Sequence, residues 1–571
     1  MKLYIQRITT LAAVSSFLWT TSCRTSDTEN TLATGGPVTI SAMLDGVEFG
    51  GQTGKPQAST GKISLAENNR QSHTTMLDAS SFITVEAITD NTSPKASAKL
   101  NTMAAIAPVI PDTDINKLAL PIGTRVRIAA YLGTSTTTDR TKDYIVRANG
   151  VLEPENGALT LTHNQPYTLV VYSNGTPTLP AHSGSINYTY DNNYTDLQKD
   201  FMYRKYINYI PDGGLGTNNI VIRLQHKTTQ IVTNFNFADN ITNIINPRIG
   251  TNYLDGSINL NNNSISTEGY VANGSTTGTV PLTVTINTDR HSATAPPVKI
   301  NGASGAAGAT TTGSFIAQIN TTDPINGSSS TRNVNAPFLI KPGYKTTLNI
   351  VQGRCGANIN GVDKFFMCHN LGADYSVNPD PTDPTTDKAK LHGAKYMWGA
   401  REESISMIND QPNGTGVVIV NIDTSENEWG TANSSNNPCP SGYRIPTTDE
   451  LRALITPSQN TSTYIGNWSN MTGDVTNFSA FRTFTSKNNT NYSMSLPAAG
   501  WRYKDPWGSG ASSPSSSMER GYKGYYWASN RDVIGSFMRL SFDNRPSSES
   551  INTIILSKAA VDAQSVRCIA N

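Results

Sequence analysis

The residues that could hold a metal ion or carry out acid–base chemistry are scattered along this sequence. Asp380, Asp383 and Asp387 form an oxygen-rich run that could bind calcium, but the EF-hand pattern is missing and the intervening prolines indicate a stiff, solvated loop. Ser509 is flanked by single glycines and does not lie in a G-x-S-x-G elbow. The histidines form no H-x-x-H-type ligand set, so packing or exposure explains them better: His73, His163, His182, His226, His291, His369 and His392. The sequence therefore predicts no enzyme, metal site or cofactor.

The five cysteines divide into one near the N-terminus, Cys23, and four in the last part of the chain. An even set confined to one exported region is typical of a disulfide framework, and the C-x₂-C spacing of zinc sites is absent. Three pairings of the four are possible. We favour Cys439 with Cys568 and Cys355 with Cys368.

The N-terminus has the pattern of an export signal. Lys2 and Arg7 precede a modest apolar run from Ile8 to Trp19, and small polar residues then lead to Cys23. This resembles the bacterial lipobox, in which signal peptidase II cuts before the cysteine and the new N-terminus is acylated, although Thr20 stands where leucine is usual. We expect residues 1–22 to be a signal peptide and Cys23 to carry acyl chains such as palmitate, which hold a protein to a bilayer. A simple secretory signal with an incidental thiol is the alternative.

Composition excludes several classes of function. Only 15% of the 571 residues are charged and the net charge is +1, so nothing favours nucleic acid or an anionic membrane surface as a partner. Serine, threonine, asparagine and glycine take the place of charge, which suits an extracellular β-rich protein. The chain is too long for one hydrophobic core, and no run after the signal is long and apolar enough to span a membrane.

Strand-like runs recur from residue 37 to residue 351. In Arg125–Leu132 the apolar side chains alternate with a period of two, and Asn149-Gly150 is a favoured hairpin turn. This pattern predicts antiparallel β-sandwiches, whereas Asp196–Ile210 could be a short helix or a packed loop. Gly302–Gly313 is predicted to be a flexible surface loop, since it lacks the Lys-Ser/Thr end of a nucleotide loop. The other predicted strands are Pro37–Leu44, Phe82–Ile88, Asp143–Ala148, Ala158–Thr162, Tyr167–Tyr172, Ile220–Leu224, Gln230–Phe237, Val280–Ile286, Ser314–Ile319 and Tyr344–Val351.

A single arginine, Arg70, lies in the polar stretch between the first two predicted strands. No other arginine occurs between Arg24 and Arg125. A lone basic cleavage point in a polar loop between two strands is what a removable first strand needs. The alternative is that Arg70 is an ordinary exposed arginine.

Four segments in order resemble the fimbrillin family of Bacteroidetes type V pili: Leu120–Tyr131, Gln165–Ser173, Ile222–Ile231 and Lys341–Leu348. The resemblance covers residues 37–352 and implies two tandem transthyretin-like β-sandwiches, at residues 71–215 and 216–352. It implies export as a lipoprotein and removal of a propeptide, residues 23–70, by an Arg-specific protease. The cut would fall at Arg70, making Gln71 the new N-terminus, and a donor strand from another subunit would fill the vacated groove.

Residues 353–571 have a different character, since they hold six of the seven tryptophans. A capping box at Thr447–Glu450 predicts a short helix. Six landmarks resemble the domain named for the major paralogues of Fibrobacter, which is similar to C-type-lectin-like and formylglycine-generating-enzyme folds: Phe366–Gly372, Ala394–Ala400, Cys439–Pro446, Ser495–Arg502, Gly524–Asn530 and Ser565–Cys568. The resulting fold class is mostly β, with two tandem sandwiches followed by a disulfide-containing α+β C-type-lectin-like domain.

The C-terminal aromatic residues Trp507, Tyr503 and Tyr525 could form a ligand surface, because such side chains stack on sugars and bury peptide side chains. Packing in the core is the alternative. Gln411–Asn413 matches the calcium-dependent sugar-binding tripeptide of C-type lectins only faintly, since the accompanying Trp-Asn-Asp is absent. The cysteine pair of the formylglycine-generating enzymes has no match either.

The fimbrial resemblance implies that a domain in this C-terminal position leaves the subunit no free donor strand, as in tip and accessory subunits. We expect an outer-membrane lipoprotein during export that becomes part of a cell-surface fimbrium. Its partners would be other fimbrial subunits, an Arg-specific protease and a host or bacterial surface ligand. One alternative is a free-standing outer-membrane lipoprotein that binds a glycan or peptide, and a weaker one is an enzyme of the formylglycine-generating fold.

Overall fold

The computed structural model describes residues 36–49, 70–90, 119–183, 185–189, 200–213, 217–261, 271–273, 277–302, 310–323, 327–411, 429, 434–470, 476–503, 516–545, 548–554 and 562–571. Strands dominate these residues, and the predicted mostly-β fold is confirmed. Cys23, Ser509, Trp507 and most of Gln411–Asn413 lie outside the described residues, as does the middle of the Gly302–Gly313 tract.

The strands up to residue 354 follow one another with short connections where the chain is described. They are β1 (Pro37–Glu48), β2 (Arg70–Asp78), β3 (Ser81–Thr89), β4 (Arg125–Leu132), β5 (Arg140–Val146), β6 (Val151–Pro154), β7 (Leu159–Thr162), β8 (Tyr167–Ser173), β9 (Ser185–Thr189), β10 (Met202–Tyr209), β11 (Thr217–His226), β12 (Thr229–Phe237), β13 (Asn240–Tyr253), β14 (Asp255–Asn259), β15 (Val271–Asn273), β16 (Thr277–Pro281), β17 (Thr285–Ile286), β18 (Ser292–Ile300), β19 (Thr311–Thr322), β20 (Ser329–Ile340) and β21 (Lys345–Arg354).

The C-terminal part has shorter strands and one helix, α1 (Thr448–Leu454). Thr447 caps this helix and exchanges hydrogen bonds with Glu450, so the predicted capping box is confirmed. The strands are β22 (Gly356–Ile359), β23 (Val362–Phe365), β24 (Tyr396–Met397), β25 (Tyr443–Arg444), β26 (Asn460–Ile465), β27 (Phe481–Ser486), β28 (Ser493–Pro497), β29 (Trp501–Tyr503), β30 (Ser516–Met518), β31 (Gly524–Arg531), β32 (Phe537–Phe542), β33 (Ser550–Ile554), β34 (Asp562–Gln564) and β35 (Ile569–Ala570).

The first unit is an eight-stranded sheet in the order β11-β10-β8-β4-β5-β6-β1-β7. Strand β1 also pairs with β11, so the sheet closes on itself through β1. The inward side chains of these strands form one apolar core, to which β1 contributes Ile40, Ala42, Leu44 and Val47. Because side chains alternate between the two faces of a strand, the period-two pattern read in β4 is the pattern of this enclosed face.

The second unit has a six-stranded sheet in the order β17-β18-β12-β21-β3-β2 and a four-stranded sheet in the order β16-β13-β19-β20. Their apolar faces share a core that also includes Tyr131, Tyr172 and Phe201 from the outer side of the first unit. The two units are therefore packed together through side chains. A small sheet, β15-β14-β9, lies beside them.

The predicted boundary between residues 215 and 216 differs from the observed sheets. It assigns β2 and β3 to the first sandwich, but β3 pairs with β21 in the second unit, from Thr89↔Thr346 to Ser81↔Arg354. It assigns β11 to the second sandwich, but β11 pairs with β1 and β10 in the first. The reason is that the chain crosses between the two units three times, after β1, after β3 and after β11, and period-two alternation does not report such crossings.

The β2–β3 hairpin also joins the second unit to the C-terminal part. At its tip, the carbonyl of Ser80 accepts a hydrogen bond from the Cys355 amide at 2.8 Å, and the carbonyl of Ala79 accepts one from the Cys368 amide at 2.8 Å. Nearby, the Arg354 guanidinium donates to Asp239 from Nε at 2.8 Å and from Nη2 at 3.0 Å. Both charged side chains are buried, so this ion pair holds the end of β21 in place where the chain enters the C-terminal part.

Two disulfides lie in the C-terminal part, Cys355–Cys368 and Cys439–Cys568, which is the pairing favoured from the sequence. The first pair belongs to a core built around α1, and the second to a neighbouring core with Trp398, Trp429 and Trp527. The second bond spans 129 residues of sequence and so ties the segment before β25 to the residue before the last strand, β35.

Candidate functional site

Strand β1 has hydrogen-bonded neighbours along both of its edges. On one edge it runs parallel to β11, from Thr39↔Thr217 to Glu48↔Gln225. On the other it runs antiparallel, first to β7 and then to β6. We call the edges of β6, β7 and β11, with the core side chains between them, the β1 groove.

Alternate side chains of β1 point into the core. Val38 is 3% exposed, Ile40 is 0% exposed and Leu44 is 6% exposed, whereas Ser41 between them faces solvent. After a register shift between Leu44 and Gly46, Val47 is again fully buried. The groove therefore takes a strand with small and medium apolar side chains at every second position.

The turn before β6 closes over the middle of β1. Asn149 and Gly150 both have positive φ, as an Asn-Gly turn requires, so the predicted turn is confirmed. A Cβ atom added to Gly150 would lie 2.1 Å from the carbonyl oxygen of Leu44, so only glycine permits this approach. The predicted Asn-Gly turn thus also forms one wall of the groove.

Carboxylates mark the far end of β1, and arginines of the groove face them. Arg223 of β11 donates to Asp45 Oδ2 from Nε at 2.9 Å and from Nη2 at 2.5 Å. Glu48 is 4% exposed and lies 3.7 Å from Arg223 Nη1 and 3.8 Å from Arg204 Nη1, while Gln225 Nε2 donates to it at 3.3 Å. A buried carboxylate is stable only with such partners, so these contacts hold the acidic end of β1 in place.

A buried ionic cluster lies just beyond that end. The Phe49 ring stacks on His226 with the ring centroids 3.7 Å apart, and His226 Nδ1 lies 2.5 Å from Asp200 Oδ2. Burial lowers the pKa of His226 despite the neighbouring carboxylate. Burial works to raise the pKa of Asp200, but His226 and Lys299 together outweigh it and lower that pKa. These groups fix the place where β1 leaves the groove.

Arg70 is the first residue of β2 and so does not lie in a loose loop, which corrects the sequence interpretation. It pairs with Ile88, and its half-exposed side chain forms an ion pair with Glu86. Gln71 bridges to the neighbouring sheet: the Leu339 amide donates to its Oε1 at 2.6 Å, and its Nε2 donates to the Leu339 carbonyl at 3.4 Å. The strand forms here because β3 and β20 supply partners that the local sequence does not reveal.

The predicted aromatic ligand surface is not an open platform at Tyr525. This side chain is 5% exposed, its hydroxyl donates to Glu519, and the Arg539 guanidinium lies over its ring at 4.2 Å from the centroid. Tyr503 is the last residue of β29, where its backbone pairs with Ser516 and Asp562. Trp507 lies outside the described residues, so the finding concerns Tyr525, which is buried and has partners of its own.

Two aspartates of the oxygen-rich run, Asp380 and Asp383, act as turn caps. Asp380 accepts hydrogen bonds from the amide and hydroxyl of Thr382, and Asp383 accepts them from Thr385. Across the described ranges, no three His, Cys, Asp or Glu side chains come close enough to hold a metal ion. Nor does any helix in those ranges have the length and apolar character needed to cross a membrane.

Sequence reasoning missed the basic residues of the β1 groove, Arg204 and Arg223. Arg223 lies within a correctly predicted strand, and an arginine in an apolar run is the signal that could have singled it out. Asp45 and Glu48 were missed because the first strand was predicted to end at Leu44, whereas β1 continues to Glu48.

No protein-family profile matches the chain, and no curated protein matches it either. Among solved structures, it is similar to a candidate cell adhesion protein of Bacteroides uniformis, with 16% identity, 40% of this chain and 91% of that chain covered, and a TM-score of 0.27. The tip fimbrial protein Mfa3 of Porphyromonas gingivalis is 8% identical to this chain. The match covers 40% of this chain and 93% of that chain, with a TM-score of 0.22. The fimbrial anchor protein Mfa2 of the same organism is 8% identical to this chain. The match covers 37% of this chain and 74% of that chain, with a TM-score of 0.21. Likenesses this distant do not decide the function, which is argued below from the geometry of the groove.

Proposed function

We propose that this protein is an accessory subunit of a cell-surface fimbrium and that the β1 groove is where another subunit joins it. The chain would be exported as a lipoprotein anchored at Cys23 and cut after Arg70 by an Arg-specific protease. The strand β1 would leave with the propeptide, and a donor strand of the neighbouring subunit would replace it. The sequence features fit the tip and accessory type represented by FimC, FimD and FimE of the Porphyromonas major fimbrium, with FimE the best match in size.

The observation that carries this proposal is the position of β1 between two sets of strands. Its removal exposes the edge of β11 on one side and the edges of β6 and β7 on the other. An unpaired strand edge readily accepts another strand. The covalent link between β1 and the rest of the described chain runs through residues 50–69 to Arg70, so a single cut there releases it.

The energies are of the size that strand exchange requires. Four buried aliphatic side chains, Val38, Ile40, Leu44 and Val47, together contribute roughly 6–12 kcal/mol of hydrophobic stabilisation. Whole domains are stable by only about 5–15 kcal/mol. An empty groove is therefore not a resting state, and a replacement strand with the same pattern would be held for a long time.

The groove also defines what the donor strand looks like. It carries aliphatic side chains at alternate positions and acidic residues where Asp45 and Glu48 lie, opposite Arg223 and Arg204. A basic residue at either position would leave buried guanidinium groups facing a like charge, which is strongly unfavourable. The partner is thus another subunit with an apolar, acidic-ended strand.

The test is to identify the N-terminus of the protein in purified surface fimbriae by mass spectrometry. Gln71 is expected, together with a covalently separate donor strand that stays with the subunit in mild detergent. The variant Arg70→Lys keeps a cation near Glu86 but removes the arginine that the protease needs, so it is expected to retain residues 23–70 and to be absent from fimbriae. The control Lys62→Gln changes a basic residue of the same segment and is expected to be processed normally.

Fimbriae that contain the chain uncut, with residues 37–48 still in place, would contradict the proposal. So would normal incorporation of Arg70→Lys. Either result would favour the second candidate, a free-standing outer-membrane lipoprotein that binds a glycan or peptide. The complete pairing of β1 within its own sheet supports this candidate, because the uncut chain needs no partner to finish that sheet.

A further inference from the structure

The sheet β31-β32-β33 carries a polar cavity of about 280 Å³ on the face opposite the core around α1. Tyr525, Ser541 and Ser550 lie side by side across the three strands, and Arg539 lies beside Asn552 in the adjoining row. The next residues along these strands, among them Leu540, point the other way into the core. The cavity is therefore built on rigid strands and does not depend on a loop.

Arg539 is the unusual member of this cavity. Its Nε atom is fully buried without a hydrogen-bond partner, and its guanidinium makes no hydrogen bond or ion pair with any residue in the described part of the chain. The Tyr525 ring supports it from one side at 4.2 Å. Such a fork of N–H donors, partly buried and held in place, is suited to a carboxylate with two parallel hydrogen bonds.

Two carboxylates near the cavity, Glu519 and Asp543, already have other partners. Glu519 accepts from Lys523 Nζ at 2.8 Å and from the Tyr525 hydroxyl. Asp543 is bound by Arg545 through both of its oxygens. Burial lowers the pKa of Arg539, although Tyr525, Asp562 and Glu519 act in the opposite direction. The guanidinium stays charged because the pKa of an arginine starts far above neutral pH.

Hydroxyl and amide groups supply the rest of the cavity wall. Ser541 Oγ lies 3.2 Å from Ser550 Oγ and also accepts from Asn552 Nδ2, so the three form a connected polar row next to Arg539. These groups can each donate or accept, which suits a ligand with several hydroxyls. The volume is below the range of about 300–1,000 Å³ that is usual for drug-sized ligands, so a single ring fits.

We propose that this cavity binds an acidic monosaccharide unit of a surface glycan, with the carboxylate on Arg539 and the ring hydroxyls on Ser541, Ser550 and Asn552. Binding uses side chains of this chain alone and no metal ion. It gives the C-terminal part an adhesive ligand, and it does not depend on whether β1 is exchanged.

The test uses the full-length protein and ligand-observed NMR titration with three probes: D-glucuronate, D-glucose and acetate. Glucuronate is expected to bind in the millimolar range or more tightly, and at least tenfold more tightly than either glucose or acetate, because only glucuronate fills both halves of the cavity. The same titration in EDTA is expected to give an unchanged affinity.

Arg539→Gln is expected to weaken glucuronate binding at least tenfold. The matched control is Arg531→Gln, which removes the same charge from an arginine that stacks on Trp398 and does not line the cavity. It is expected to bind normally. Asn552→Ala provides a second, milder change to the same wall, with an expected loss of a few-fold, in case Arg539→Gln does not fold by circular dichroism.

Several outcomes would overturn the proposal. Glucose or acetate binding as tightly as glucuronate would refute the acidic sugar as the ligand class. Loss of binding in EDTA would mean that a metal ion holds the carboxylate. No binding of glucuronate to the wild-type chain, or binding that survives both Arg539→Gln and Asn552→Ala, would remove the cavity as the site.

Discussion

The clearest test of the β1 groove is to remove one buried side chain from β1 and compare it with an exposed neighbour. Ile40 is 0% exposed and lies in the core, opposite Leu159 of β7 and Asn218 of β11. Replacing a buried isoleucine by alanine costs about 2–5 kcal/mol. Ser41 is the next residue of the same strand and faces solvent, so Ser41→Ala should change stability by less than about 0.5 kcal/mol.

The first measurement is urea unfolding of the uncut chain. Ile40→Ala should lower the stability of the first unit by about 2–5 kcal/mol, while Ser41→Ala should match the wild type. The uncut chain is the right starting point because β1 stays tethered, so the loss reports packing alone.

The second measurement follows exchange after cleavage at Arg70. A labelled synthetic peptide of residues 37–48 is added in excess, and its uptake is followed by fluorescence anisotropy. Because each 1.4 kcal/mol is a factor of ten, Ile40→Ala should release its own strand at least about 30-fold faster than Ser41→Ala. Equal rates for the two variants would refute the reasoning, as would a cut chain that loses residues 36–70 at once and remains fully folded.

Three further predictions concern the rest of the fold. Asp239→Asn removes the main partner of buried Arg354 at the joint and should lower the unfolding free energy by about 3 kcal/mol, measured by urea denaturation. Burial acts to raise the pKa of Glu450, but Arg444 and Lys364 help to lower it to about 2. The stability that Glu450 gives the folded chain is therefore complete above its unfolded pKa near 4.5 and is lost as the pH falls towards 2. Glu450→Gln should flatten the decline of the urea midpoint between these two pH values. Replacing Cys439 and Cys568 by alanine releases a 129-residue loop and should cost about 4–5 kcal/mol in the same assay.

Local alternation was enough to predict the strands whose two faces differ. The prediction for β4, Arg125–Leu132, has the observed bounds, because Val126, Ile128 and Ala130 recur at a period of two on the face towards the first core, while Arg125 and Arg127 interrupt the other face. Asp196–Ile210 was left open between helix and loop, yet Met202–Tyr209 is a strand. Its first residues, Met202 and Tyr203, are buried on both faces of the sheet, where alternation disappears because each face meets a core.

Other strands were missed because their period is broken. In β13 the register shifts between Ile241 and Asn243 and again between Ile245 and Arg248, so apolar residues do not recur at a fixed spacing. In β20 a proline, Pro337, obscured the alternation of the buried residues around it. These strands are stabilised by their neighbours in the sheet more than by a local pattern.

The cavity shows a different limit of sequence reasoning. Tyr525 was selected because aromatic residues often contact sugars, and the structure does place it at a cavity, but as a support under Arg539. Arg539 could not be selected from sequence, because an arginine between apolar residues in a strand is usually paired with a carboxylate. Only the three-dimensional arrangement shows that Glu519 and Asp543 are taken by Lys523 and Arg545.

The groove and the cavity belong to separate cores, and this separation bears on how the protein could work. The side chains of β1 pack in the core of the first unit, while the strands under the cavity pack on α1 in the C-terminal part. Changes at distant sites without shared partners usually add, so loss of β1 should leave ligand binding intact. The second unit lies between them and is joined to the C-terminal part by the β2–β3 hairpin tip, where Ser80 and Arg354 are buried. If the proposed strand exchange takes place, it would act on the first unit, while the buried joint would leave the cavity of the C-terminal part in place.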